Sequence, residues 1–78
     1  IFVVYILKSE KNARFYIGQT NDMDRRLENH NAARVKSTKH GAPWTLIWNT
    51  KVNSRSEALQ LEKKIKNMGT TRFLEKFN

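Results

Sequence analysis

Six consecutive apolar residues, Phe2-Val3-Val4-Tyr5-Ile6-Leu7, constrain this chain more than any other feature. A run of this kind is apolar on both alternating faces of a strand. It needs cover on both sides and belongs in the centre of a sheet. At 78 residues the chain, 1–78, makes one domain. With no Cys, neither a disulfide framework nor a thiolate zinc site can staple it. No stretch approaches the ~18 apolar residues of a membrane span. Ile1 to Leu7 is too short for a signal-peptide core and lacks the basic segment and small-residue cleavage site that would flank one. The expectation is a soluble, cytoplasmic domain with no membrane partner.

The remaining elements follow from period and punctuation. Arg14 to Gln19 reads as a second strand, with Phe15 and Ile17 on one face and Tyr16 and Gly18 on the other. Lys8 to Ala13 is the polar loop of an antiparallel hairpin. Asn21 is the expected N-cap of a first helix ending near His30. A basic loop, Asn31 to Pro43, leads to a third strand, Trp44 to Val52. Ser54 and Glu57 have capping-box spacing and open a second helix that Gly69 closes after Met68. A short third helix is expected over Arg72 to Phe77. The order ββαβαα gives an α+β fold, a three-stranded antiparallel sheet flanked by helices.

Fifteen basic against seven acidic side chains leave a net charge of +8. From Asn29 to Ser56 there is no acid, while Arg34, Lys36, Lys39, Lys51 and Arg55 are all basic. Such a stretch suits a polyanion, and nucleic acid is the commonest. Charge alone does not separate a nuclease from a binding module or a basic structural protein.

Local inconsistencies are sharper pointers. The inward positions of the first helix are Met23, Arg26, Leu27 and His30, two of them basic, while Arg25 lies on the solvent side. In the second helix, Ala58, Leu59, Leu61, Ile65 and Met68 form the apolar arc, and Glu62 falls inside it. A carboxylate there needs a cation, a metal or a cleft. A structural ion pair with Arg26 is one solution. If the hairpin closes with Leu7 opposite Arg14, Tyr5 lies opposite Tyr16 on one face, and Gly18 leaves that face open for a ligand beside Tyr16. Two phenols, an arginine, a histidine and a glutamate could then share one surface. An arginine fork suits a phosphate, and one carboxylate can hold a Mg²⁺ that keeps most of its waters. A phenol activates water if a nearby cation lowers its pKa. These are the parts of phosphodiester hydrolysis.

Those residues resemble the GIY-YIG endonuclease superfamily, in particular its small stand-alone bacterial members. Val3-Val4-Tyr5 stands where the family has Gly-Ile-Tyr, and Tyr16-Ile17-Gly18 reproduces the second motif. Arg26 and His30 fit the helical arginine and its following histidine, and Glu62 fits the metal-binding glutamate. The resemblance implies a site of Tyr5, Tyr16, Arg26, His30 and Glu62. Tyr5 would be the general base or the orienter of the attacking water. Tyr16 would bond the scissile phosphate or position the nucleophile. Arg26 would stabilise charge, His30 would assist the base, and Glu62 would anchor a single Mg²⁺ or Mn²⁺. Gly18, Arg25, Arg34, Lys36 and Lys39 are the expected nucleic-acid contacts. DNA is the implied substrate and RNA the alternative, in repair or recombination, with room for a protein partner that supplies specificity. The runner-up is a nucleic-acid-binding module of this fold without turnover.

Overall fold

The computed structural model describes residues 1–76. Three strands, β1 (Phe2–Ser9), β2 (Phe15–Thr20) and β3 (Trp44–Val52), alternate with helices α1 (Met23–Asn31), α2 (Arg55–Met68) and α3 (Thr70–Glu75) in the order ββαβαα. The sheet is antiparallel with order β2-β1-β3, so the doubly apolar strand is central. Val4 and Ile6 pack on one side against Ala58 and Ile65 of α2 and Phe73 of α3. Tyr5 and Leu7 face the other side with Trp44, where Met23 and Leu27 of α1 cover them. Both tryptophans serve these layers: Trp44 is buried, and Trp48 stands edge-on to Phe73 at 4.9 Å between ring centroids. Between Ile6 and Leu7 the β1–β3 register slips, pairing Ile6 with Trp48 and Leu7 with Leu46 and turning Ile47 outward.

The hairpin is longer than symmetric closure at Leu7 predicts. Leu7 pairs with Tyr16 and Tyr5 with Gly18, a shift of two residues from the expected register. Ser9 causes it. Its hydroxyl accepts the Lys11 and Asn12 N–H groups, each at 3.1 Å, and its N–H donates to the Arg14 carbonyl at 2.8 Å. The turn is thereby closed by Ser9 and Arg14, and β2 starts at Phe15. A shift of two preserves side-chain parity, so both tyrosines still share a face.

Helix caps depart from expectation in small ways. Asp22, not Asn21, is the N-cap of α1, its carboxylate accepting the Arg25 N–H at 3.2 Å. Ser54 caps α2 through the Glu57 N–H at 3.2 Å, while Glu57 reaches back to the Asn53 N–H and not to that of Ser54. Gly69, at φ 93, ends α2. α3 begins at Thr70, two residues before the expected Arg72, and Phe77 lies outside the described residues. Leu59, expected in the apolar arc of α2, is 54% exposed.

The end of α1 stores strain. The Ala33 N–H donates to His30 O at 3.2 Å and the Arg34 N–H to Asn29 O at 3.0 Å, the paired bonds of a Schellman cap. That motif needs a left-handed residue, and Ala33 supplies it at φ 59. A Cβ in this region is unfavourable by about 1 kcal/mol. Ala33→Gly should therefore raise the denaturation midpoint, by up to about 1 kcal/mol in stability. A lower midpoint would contradict this description of the cap.

Candidate active site

The site is organised around the Tyr5 hydroxyl. Tyr5 is fully buried at the centre of β1 and faces α1. Arg26 Nε donates to its oxygen at 3.2 Å, and His30 Nε2 lies 3.0 Å away on the other side. His30 is also fully buried, and its Nδ1 lies 2.7 Å from Thr38 Oγ1. Arg26 and His30 are four apart on α1, so one helix face delivers both to the same phenol. Tyr16 completes the aromatic group, its ring 6.2 Å from Tyr5 and 4.9 Å from His30. It is half-buried and also interacts with the Arg26 guanidinium.

Gly18 has a different role from the one expected. The strand is not open there: Gly18 is buried, and a Cβ built on it would lie 2.6 Å from the Tyr5 hydroxyl and 2.9 Å from Tyr16 Cε2. The space is filled by the two phenols. Glycine is required because the Tyr5 hydroxyl rests where any side chain would stand. The two phenols cover the backbone at this point.

Burial and charge set the protonation states. The Tyr5 phenol is raised above its ordinary value, chiefly by burial; the Arg26 hydrogen bond opposes this without prevailing. The expectation of a phenol lowered by its cationic neighbour is thus reversed. Desolvation outweighs one partly exposed guanidinium. His30 is lowered to about 4, first by burial and then by the charge of Arg26. At neutral pH it is an uncharged imidazole.

Glu62 belongs to a different neighbourhood. It projects from α2, its side chain 16% exposed, and accepts from Lys66 Nζ at 3.2 Å and Gln19 Nε2 at 3.5 Å. The considered pair with Arg26 does not form; Lys66, one turn along, takes that place. Four of the five expected residues are thus joined around Tyr5, and Glu62 approaches them through Gln19. Gln19 also lines a cleft of about 340 Å³ with Phe2, Thr20, Asn21, Arg26 and Arg55. Among the described residues no three His, Cys, Asp or Glu side chains gather into a metal site. A lone hard carboxylate bonded to a residue that lines a polar cleft fits an ion that keeps waters and takes substrate oxygens.

The expected nucleic-acid contacts divide. Arg25, Lys36 and Lys39 are exposed and make no ion pair among the described residues, whereas Arg34 bonds Asn29 at 3.2 Å and sits 4.0 Å from Glu28. Sequence reasoning missed Thr38, Gln19 and Arg55 as site residues. Arg55 had a readable signal, since it precedes Glu62 by seven and so shares its helix face. Thr38 had none, because a loop brings it to His30.

The model of the GIY-YIG catalytic domain matches residues 1–78. The chain is 35% identical over 66 residues to the UPF0213 protein VPA1222 of Vibrio parahaemolyticus, spanning 83% of this chain and 61% of that protein. It is 42% identical over 79 residues to the structure-specific endonuclease subunit SLX1 of Meyerozyma guilliermondii, covering 91% of this chain and 26% of the subunit. Among solved structures, the solution NMR structure of the UPF0213 protein BH0048 from Bacillus halodurans aligns at TM-score 0.58 with 28% identity, over 95% of this chain and 79% of that one.

The uncharged buried imidazole makes stability pH-dependent. The folded His30 value, about 4, lies below the unfolded 6.5, so the unfolded state binds the proton first. This contribution is complete above about pH 6.5 and is lost as pH falls toward about 4, amounting to about 3 kcal/mol. Denaturant unfolding across that range should show the slope, and His30→Asn should flatten it. A wild-type stability independent of pH there would contradict the neutral, buried imidazole.

Proposed function

This chain belongs to the GIY-YIG family, and from that premise we propose that it is a metal-dependent endonuclease that hydrolyses DNA phosphodiester bonds. The observation that carries the reading is the Tyr5 hydroxyl, held between the Arg26 guanidinium at 3.2 Å and the neutral His30 imidazole at 3.0 Å. A phenol raised by burial is a poor base by itself. The uncharged imidazole offers Nε2 as acceptor for its proton, but burial and Arg26 weaken that acceptor. The phenol therefore passes its proton on only in concert with taking one from the attacking water.

The chemistry balances through this pair. Water gives a proton to the Tyr5 oxygen as the Tyr5 proton passes to His30 Nε2. The water oxygen forms a bond to phosphorus, and the opposite P–O bond breaks with its electron pair on the leaving oxygen. Arg26, already fixed by its bond to Tyr5, offers its remaining N–H groups to the phosphoryl oxygens as charge builds. Tyr16, half-buried beside it, orients the phosphate or the nucleophile. Glu62 is the residue that would hold Mg²⁺ or Mn²⁺; such an ion, when bound, stabilises charge on the departing oxygen.

Two clefts flank this centre and support a strand passing over Tyr16 and Arg26. One is the 340 Å³ cleft with Arg55 and Gln19; the other, of about 290 Å³, is lined by Arg14, Ser37, His40 and Tyr16 among others. Lys36 and Lys39 extend the basic surface from the loop before β3. SLX1 is by name a subunit of a structure-specific endonuclease. By analogy, branched or flapped DNA is the first substrate to try, with a protein partner as the source of specificity.

Mg²⁺-dependent nicking of supercoiled plasmid and branched DNA tests the reading. Glu62→Gln should abolish cleavage and leave DNA binding intact. Arg26→Ala should lower turnover by about 10²–10³, while Arg25→Ala mainly weakens binding. Cleavage that persists in excess chelator would refute the metal role of Glu62, and DNA bound without any cleavage would favour a binding module.

A further inference from the structure

The loop between α1 and β3 contains a polar side chain that does not behave as a surface residue. Thr38 is 2% exposed, while its neighbours Lys36, Ser37, Lys39 and His40 are all exposed. Its backbone is pinned on both sides. Its N–H donates to Val35 O at 3.1 Å, and its carbonyl accepts from the Gly41 N–H at 3.0 Å and from Trp44 Nε1 at 2.9 Å. The far end of the loop is fastened as well, because the Asn31 side-chain amide bonds both the N–H and the carbonyl of Trp44. This much anchoring delivers one hydroxyl to one imidazole nitrogen, 2.7 Å away.

The direction of the hydrogen bonds is set from the Arg26 end. A guanidinium can only donate, so the Tyr5 oxygen is its acceptor. Among the described residues His30 Nε2 is the acceptor within reach of the Tyr5 proton, and the arrangement that satisfies that buried proton has Nε2 presenting a lone pair. The ring proton therefore sits on Nδ1, and that N–H needs a buried acceptor. Thr38 Oγ1 is that acceptor, and its own proton goes to Val35 O at 3.4 Å. Among the described residues no buried side-chain polar atom is left without a partner, so the chain is closed at both ends.

We propose that Thr38 is a positioning residue: by accepting the Nδ1–H of His30 it holds the imidazole in the one tautomer whose Nε2 can take the Tyr5 proton. The role rests on the nuclease reading for its consequence, but its geometry stands independently of that reading. It also means that the basic loop has two duties. Lys36 and Lys39 face the solvent for a polyanion, while Thr38 between them faces inward and sets the proton path. A hydroxyl is needed at this position, and the methyl of threonine is not. Removing the hydroxyl strands a buried N–H and favours the other tautomer, in which Nε2–H would donate to the Tyr5 oxygen and could no longer take its proton.

The test is two-bond ¹H–¹⁵N correlation of the histidine rings in the intact chain near neutral pH, followed by plasmid nicking. Wild type and Thr38→Ser should both show His30 with a protonated Nδ1 and a pyridine-like Nε2. Thr38→Val, nearly isosteric, should shift His30 toward Nε2–H. With it, kcat should fall by about 10-fold or more at little changed KM, and Thr38→Ser should recover most of the rate. His30 protonated on Nε2 in the wild type would overturn the proposal, and that measurement requires no variant to fold. Thr38→Val with the wild-type tautomer and full turnover would overturn it equally. A wild-type chain that cleaves no nucleic acid would instead sink the nuclease reading, and the ring spectrum would still decide the tautomer.

Discussion

A buried hydroxyl needs hydrogen-bond partners from the protein, and Tyr5 places such a hydroxyl at the centre of the central strand, with the half-buried Tyr16 and Arg26 between it and solvent. Arg26 supplies its donor and His30 its acceptor, 3.2 and 3.0 Å away. Everything else in the site accommodates this arrangement. Gly18 leaves the volume the hydroxyl occupies. α1 is phased so that residues four apart meet the same atom. The loop after α1 is tied down at Thr38 and Trp44 so that the single ring proton of His30 has an acceptor. Because each buried bond depends on the next, removing one member leaves another uncompensated, at a cost of about 1–3 kcal/mol.

The sheet keeps this polar chain apart from the core that stabilises the domain. Under α2 and α3, Val4, Ile6, Ala58, Ile65 and Phe73 make an apolar layer with no polar residue among its fully buried members. Under α1 the layer is aromatic and hydrogen-bonded. A chain with so small a core gains from this division. Variation on the α1 face can change chemistry without opening the hydrophobic side. Glu62 is rooted in the stabilising helix, and its carboxylate accepts from Gln19, a residue that lines a cleft together with Arg26. The 3.2 Å contact with Lys66, one turn along the helix, orients the carboxylate.

Much of this was legible in the sequence because it rests on periodicity. The doubly apolar run required a central strand. The 3.6-residue period selected Arg26 over Arg25 and pointed His30 inward. The tyrosines shared a face even though the expected hairpin register was two residues off, since strand parity survives an even shift. What was not legible depends on tertiary closure. The Ser9 side chain lengthened the hairpin through local backbone bonds, which alternation does not report. Gly18 read as an opening because only the folded structure shows that the Tyr5 hydroxyl fills it. The phenol was expected to be lowered by its cation, a judgement that left out how completely the strand buries it. Thr38 lay in a loop read only for its charge.

The most direct measurement is single-turnover cleavage by Tyr5→Phe at saturating DNA occupancy with Mg²⁺ present, beside the wild type. The substitution keeps the ring and removes only the atom on which Arg26 and His30 converge. The account predicts DNA binding close to wild type, a modest loss of stability from the unpaired His30 nitrogen, and a cleavage rate lower by about 10² or more. Cleavage at the wild-type rate would contradict it, leaving Tyr5 as a core aromatic and the hydrogen-bonded chain as structural only.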